Sequence, residues 1–383
     1  MILGIDASNV RGGGGLTHLA ELLAAADPAA AGFKRVIVWS GRATLSRIGD
    51  KPWLDKRSDP WLERSLTWRS WWQSRRLSQQ ARCEGCDLLF IPGGSYVGNF
   101  RPVVTMSQNL LPFEWHELRR FGFSWMSLKL VLLRLIQGNS FKRADGLIFL
   151  TKYAEQTILA AIGETRAVTT VIAHGIAPRF HLPLRQQLDL EEFSVQRPFR
   201  LLYVSIVDAY KHQDKVAAAV GLLRGEGLPI RLDIIGPSHG AALRKLQQTM
   251  EQTNRVGEVV LYHGPVAHER LHESYAGANA FVFASSCENL PIILLESMAA
   301  GLPIACSERG PMPDVLGDAG LYFNPESVDS IAAALRKLVA DHELRQRLAR
   351  YASRRATQFS WGVCAEETLS FLAEIVQQKR PSA

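Results

Sequence analysis

The chain has 383 residues, 47% of them hydrophobic and 21% charged, with a formal net charge of +7 at neutral pH. That length asks for two domains, each with its own core, and the composition excludes a disordered, collagen-like or disulfide-dense protein. No apolar run reaches the roughly 18 residues a membrane-spanning helix needs, and five scattered cysteines, an odd number, point to a reducing compartment.

Met1 to Ala7 reads as a first strand with no basic region or cleavage site, so a signal peptide is not expected. Arg11-Gly12-Gly13-Gly14-Gly15 follows as a tight loop and Leu16 to Ala26 as a helix with apolar residues at 16, 19, 22 and 23. Glycines between strand and helix let backbone come close to a ligand. The pattern departs from G-x-G-x-x-G, with Thr17 and His18 where the last glycine would stand. No acidic residue fits the ribose role about twenty positions on, so a nicotinamide cofactor is not expected.

Val36 to Trp39 and Leu88 to Ile91 read as further strands, and between them 53–82 interleaves five tryptophans with six arginines. A second basic and aromatic stretch runs from Arg119 to Lys142. Helices of this kind either lie in a bilayer interface or pack in a core with solvated rims. An anionic membrane surface is therefore a candidate partner. Nucleic acid is not expected, because no helix-turn-helix, zinc module or stacking sheet accompanies the charge. Cys83 and Cys86 form a CxxC with no second ligand pair, so they read as free thiols, and no metal is expected. Val103 to Met106 is a strand followed by Ser107, Gln108 and Asn109, whose amides could hydrogen-bond sugar hydroxyls. Asp145 to Leu150, a helix from Lys152 to Ile162 and a strand from Thr169 to Ala173 close the first half.

The polar stretch Leu184 to Pro198 reads as a linker, and the strand Phe199 to Ser205 opens the second half, with Lys211 shortly after it. Strands at Arg231 to Gly236 and Val259 to His263 lead to the most informative segment. There Ala280 to Ala284 is an apolar strand, Ser285 to Leu290 a small polar turn, and Pro291 suits the first position of a helix that Gly301 stops. Leu302 to Cys306 is the next strand. Such a helix N-terminus, at the carboxyl end of a parallel sheet, suits a phosphate. Glu288 stands before the helix and Glu296 in its second turn, a rise of about 9 Å from Leu290 at about 1.5 Å per residue. Two carboxylates flanking an anion site accept sugar hydroxyls, which together describes a nucleotide sugar: diphosphate on the helix N-terminus, at the N–H groups near Asn289, Leu290 and Ile292, ribose at Glu296, transferred sugar at Glu288. Helices at Val328 to Val339, Glu343 to Thr357 and Val363 to Gln378 complete the chain.

The segment from Glu288 to Glu296, with its continuation Arg309-Gly310-Pro311-Met312-Pro313-Asp314-Val315-Leu316-Gly317-Asp318-Ala319-Gly320-Leu321-Tyr322-Phe323, resembles the Glu-x7-Glu signature of retaining glycosyltransferases. The likeness is to those of the GT-B fold, family 4 (glycosyltransferase group 1) type, and is strongest over about 199–340. It implies an α/β fold of two Rossmann-like domains facing across a cleft, with the C-terminal helix crossing back to the first. Residues 1–177 would form the acceptor-side domain, 178–198 the linker, 199–357 the donor domain and 358–383 the crossover helix and tail. The resemblance assigns catalysis to Glu288 and Lys211, and donor binding to Gly14, Gly15, Lys211, Glu288, Asn289, Leu290, Pro291 and Glu296. Gln108 and Asn109 fall on the acceptor side, replacing a His-Asp pair of the family. His174-Gly175-Ile176 resembles the family's Asn-Gly segment, with His in place of Asn. An arginine expected after strand Phe199 to Ser205 is missing, Ser205 or Ile206 standing there. The activity implied by the resemblance is transfer from a nucleoside diphosphate sugar to a glycan or lipid-linked glycan in bacterial surface-polysaccharide synthesis. It would need no metal or cofactor and would take place in the cytoplasm, peripherally on the membrane. The readings kept beside it are a nucleotide-sugar epimerase or phosphorylase of the same fold, and a non-catalytic basic protein binding membrane or nucleic acid.

Overall fold

In the computed structural model, which describes residues 1–379, the chain forms two compact units, Met1–Gly175 together with the chain from Phe359 on, and Ile176–Gln358. Residues 380–383 of the expected tail lie outside the described residues. Each unit is built on one parallel sheet. The first holds β1 (Ile2–Asp6), β2 (Arg35–Trp39), β3 (Leu54–Arg57), β4 (Leu88–Ile91), β5 (Val103–Met106), β6 (Gly146–Phe149) and β7 (Val168–Val171), in the order β3-β2-β1-β4-β5-β6-β7. The second holds β8 (Phe199–Val204), β9 (Ile230–Ile235), β10 (Val260–Tyr262), β11 (Ala280–Phe283), β12 (Ile304–Ser307) and β13 (Gly320–Phe323), in the order β10-β9-β8-β11-β12-β13. Central strands such as Leu88–Ile91 and Ala280–Phe283 are buried at every position. This is what an apolar run without alternation demands, since helices cover both faces of a parallel sheet.

Several expectations shift. The first helix runs Gly13–Ala25, so the glycines expected in a loop form its first turn. The 53–82 stretch divides into edge strand β3 and a run of short helical pieces. Within it Trp72 is core, its indole N–H donating to Asp59 at 3.0 Å, while Trp61, Trp68 and Trp71 cluster nearer the surface under Arg64. Residues 178–198, expected as an interdomain linker, lie within the second unit. Arg185 donates to the carbonyls of Ala276 and Ala278 at 2.6 Å each, and buried Arg345 donates to that of Leu188. A polar stretch without periodicity reads as a linker; these arginines instead spend its carbonyls and their own donors on packing it down.

The C-terminal helix Trp361–Lys379 belongs to the first unit, where it packs on the Gly13–Ala25 helix. Trp361 sits against His18 and His174, whose Nδ1 atoms are 2.8 Å apart in full burial. Burial pulls the His18 imidazole down to about 4, and pulls His174 well below its ordinary value, with His18 adding to the shift. Both rings are neutral, one donating to the other.

Candidate functional site

In the second sheet the strand order reverses beside β8, which lies between β9 and β11. Chains leaving the carboxyl ends of neighbouring strands at such a reversal splay apart and leave a crevice. β8 and β11 are those neighbours, Leu201 opposite Ala280 and Leu202 opposite Phe281. β8 runs into 205–212 and β11 into 284–291, so the register brings Lys211 to the loop that carries Glu288.

The two loops are tied together. The Ser286 N–H donates to the Tyr210 carbonyl at 2.9 Å, its hydroxyl to the same carbonyl at 3.2 Å, and the His212 ring Nε2 lies 3.0 Å from that hydroxyl. From beneath, the buried Tyr203 hydroxyl donates to the Lys211 carbonyl and accepts the Ala284 N–H at 3.2 Å. Burial, ahead of nearby Glu288, holds that phenol well above its usual range, so it keeps its proton. His212 has φ 51° and ψ 31°, a left-handed conformation costly for a residue with a Cβ. It reverses the chain between Lys211 and the helix Gln213–Gly225. At the end of β9, Gly236 has φ 145°, and a Cβ there would fall on the Ser205 carbonyl oxygen. Glycine is what lets the β8 loop begin where it does.

Lys211 and Glu288 form an ion pair, Nζ to Oε1, with side chains only 7% and 15% exposed. The ammonium also sits 4.9 Å from the centre of the Tyr210 ring and 5.3 Å from that of Phe283. A cation held by one carboxylate and two ring faces, at a sheet's crevice, can exchange its carboxylate for another anion. Asn289 and Leu290 are buried in the same loop. Pro291 turns out to be the N-cap, with φ −77° and ψ 103°, and the helix is Ile292–Ala299. Its first N–H groups are those a helix leaves without intrahelical partners. Gly301 stops the helix at φ 63°, as expected, with Leu184 packed where a side chain would project.

Glu296 is on the same helix but in a different environment. It is 1% exposed; His268 Nε2 lies 2.8 Å from its Oε1 and the Tyr275 hydroxyl 3.1 Å from its Oε2. The Arg179 guanidinium lies 2.8 Å from the other His268 nitrogen, Nδ1. Arginine can only donate, so Nδ1 is the acceptor, and the proton of His268 sits on Nε2 and points at Glu296. Burial, then the Glu296 charge, push the Tyr275 hydroxyl well above its usual range, which keeps it a donor to that carboxylate. Two donors thus fix the orientation of the Glu296 carboxylate, and each oxygen keeps a lone pair for a hydroxyl.

The structure therefore gathers Lys211, Glu288, Asn289, Leu290 and Pro291 at one crevice and sets Glu296 inside the helix's packing. Gly14, Gly15, Gln108 and Asn109 belong to the first unit. Gly15 faces Gln108, whose Oε1 would be 2.6 Å from a Cβ at that position. Asn109 Oδ1 accepts the Leu111 N–H at 3.1 Å, spending its carbonyl on a local turn. His268, Tyr275, His212 and Ser286 were not singled out from the sequence. The His268 side chain reaches Glu296 across 28 residues, a separation that carries no periodic signal.

Two parallel sheets with a returning C-terminal helix are the GT-B fold. Sucrose-phosphate synthase from Thermosynechococcus elongatus superposes with a TM-score of 0.77 at 17% identity, covering 99% of this chain and 100% of that one. HepE of Anabaena, solved with UDP and glucose, gives 0.71 at 15% identity over 98% and 100%. Residues 186–355, most of the second unit, match the family model described as glycosyl transferases group 1. Among curated relatives, O-antigen chain mannosyltransferase B of Escherichia coli is 36% identical over 33% of this chain and 32% of its own length. The chain thus spans about a third of that relative where the two match.

Proposed function

We propose that the protein is a retaining glycosyltransferase that moves a sugar from a nucleoside diphosphate sugar to a glycan or lipid-linked glycan, in bacterial cell-surface polysaccharide synthesis. The observation that carries the proposal is the Lys211–Glu288 pair at the crevice between β8 and β11; the group 1 match over the same unit supports it. The donor diphosphate replaces Glu288 as the partner of Lys211 and takes the N–H groups at Asn289, Leu290 and the start of the Ile292–Ala299 helix. Glu288, released, accepts hydroxyls of the transferred sugar. Glu296, oriented by His268 and Tyr275, accepts those of the ribose. Gly14 and Gly15 would let the first unit's backbone approach the donor, and Gln108 and Asn109 would contact the acceptor.

The acceptor hydroxyl attacks the anomeric carbon on the face the diphosphate leaves. The anomeric C–O bond to the diphosphate breaks, and the hydroxyl proton passes to the departing phosphate oxygen. Lys211 and the helix N-terminus balance the charge that develops there, in place of a metal, and such preorganised electrostatics are usually the largest contribution to rate. The enzyme would work in the cytoplasm on the inner face of the membrane. The test is a thermal-shift screen of UDP-, GDP- and ADP-sugars on the full chain, followed by product analysis with and without acceptor. One nucleotide class should raise the melting temperature by mass action. No shift with any of the three, and no transfer or donor hydrolysis, would overturn the proposal.

A further inference from the structure

The helix Trp125–Arg143 of the first unit has one apolar face in the core and another in solvent. Leu130 and Phe141 are buried, as the fold requires. On the outside, Trp125, Leu128, Leu132 and Leu135 are between 55% and 79% exposed. Their spacing of three, four and three residues lines them along one side of the helix for about 15 Å. The stripe is prolonged by Phe123, fully exposed at a turn that Gly122 makes at φ 54°. The turn is fixed: the Ser124 hydroxyl caps the helix by accepting the Ser127 N–H at 3.2 Å, and the Ser127 hydroxyl donates to the Gly122 carbonyl at 2.5 Å. Half-exposed Trp115 is held beside it by Arg134, which stacks 4.6 Å from the indole and donates to the carbonyls of Pro112 and Phe113 at 3.1 and 3.0 Å. This is a built platform. Scattered apolar residues on a surface need no explanation, but a contiguous, ordered stripe does.

Its charge indicates what covers it. From Leu118 to Ala144 the sequence holds six Arg and Lys and no Asp or Glu, and Arg119, Lys129, Lys142 and Arg143 are exposed around the stripe. Glu117, just before, is buried against Arg120. A second copy of the chain would bring one positive rim against another. With four basic residues of its own, the helix is not apolar enough to cross a membrane; no helix among the described residues is. An interfacial plane with phosphate headgroups satisfies both features, apolar side chains entering the acyl boundary while the rim meets anionic lipid. We infer that this face, 123–143 with Trp115, is the surface by which the protein lies on an anionic bilayer. The inference specifies the membrane location in the proposed function and rests on none of its transfer chemistry.

The test is co-sedimentation of the full chain with vesicles of phosphatidylcholine alone or mixed with phosphatidylglycerol. Binding is expected to the mixed vesicles and to weaken steeply with salt. Leu128→Ser with Leu132→Ser should lower the partition coefficient by roughly tenfold or more, and Lys129→Gln with Lys142→Gln by about thirtyfold while flattening the salt dependence. All four positions are exposed, so the melting temperature should hold, and the donor-induced thermal shift serves as a separate readout of the transfer site. The inference is overturned if the chain stays in the supernatant with anionic vesicles, or if both double variants bind like the original. It is also overturned if light scattering finds a dimer that Leu128→Ser with Leu132→Ser dissolves while vesicles are ignored. A lost donor shift with intact vesicle binding would instead count against the transfer reading alone.

Discussion

Replacing Glu288 by the isosteric amide (Glu288→Gln) removes one charge and almost no volume, so its effect reports on the ion pair itself. The Lys211 side chain is 7% exposed and the Glu288 side chain 15%. Breaking a buried pair by neutralising one partner costs about 3–5 kcal/mol, because the remaining charge keeps its desolvation penalty. The Tyr210 and Phe283 rings at 4.9 and 5.3 Å return part of that, as does the glutamine oxygen, which puts the loss near 3 kcal/mol. For a unit the size of 176–358 that corresponds to a fall in Tm of roughly 6–12 °C. The measurement is thermal unfolding by circular dichroism with and without the cognate nucleoside diphosphate. In the original chain the diphosphate must displace Glu288 from Lys211; in the variant it meets a lysine without a charged partner. The nucleotide should therefore stabilise the variant by more than it stabilises the original, although sugar transfer is lost. A variant that melts within about 1 °C of the original would refute the reasoning, and so would a nucleotide shift smaller than the original's.

Glu296→Gln keeps the packing but leaves one acceptor oxygen for His268, while the new amide N–H must donate to the Tyr275 hydroxyl, which turns its proton to the Ile293 carbonyl; donor KM should rise by about tenfold with a smaller change in kcat. Unchanged donor affinity by calorimetry would remove Glu296 from the ribose. Acid should destabilise the first unit through His18, whose folded value of about 4 lies below the unfolded 6.5. Between those values only the unfolded chain takes the proton, so stability falls as pH drops from about 6.5 toward 4, by about 3 kcal/mol for this one group. His174, also lowered, acts in the same direction. His18→Leu should flatten that limb of the stability–pH curve, and a limb superimposable on the original's would contradict the assignment. Of the five cysteines, Cys83 alone is exposed, and burial pushes the Cys86 and Cys364 thiols up to about 12. An Ellman titration of the folded protein should show one fast thiol, abolished by Cys83→Ser; a second fast thiol would count against the burial of the rest.

Eleven of the strands, their parallel arrangement in two halves, and the strand–turn–helix–strand unit around Glu288 could be read from residue order, whereas the edge strands Leu54–Arg57 and Gly320–Phe323 could not. Apolar runs, Pro291 and Gly301 act locally, over a few residues, and local rules reach that far. The meeting of Lys211 with Glu288 was legible only through family likeness; what produces it is the pairing of β8 with β11, strands some eighty residues apart, and the left-handed turn at His212. His268 and Tyr275 around Glu296, and the His18–His174 pair under Trp361, had no sequence signal at all, because a buried polar contact is made by whichever side chains the packing brings together. Residues 184–198 show the same limit: polarity without periodicity marks a free segment until an arginine from elsewhere satisfies its carbonyls. Sequence determined which segments become strands and helices, through periods of two and 3.6 residues and the chemistry of turns. Tertiary structure alone decided which charges face one another and which apolar side chains stay outside, since both depend on strand order and helix packing, which bring distant residues together.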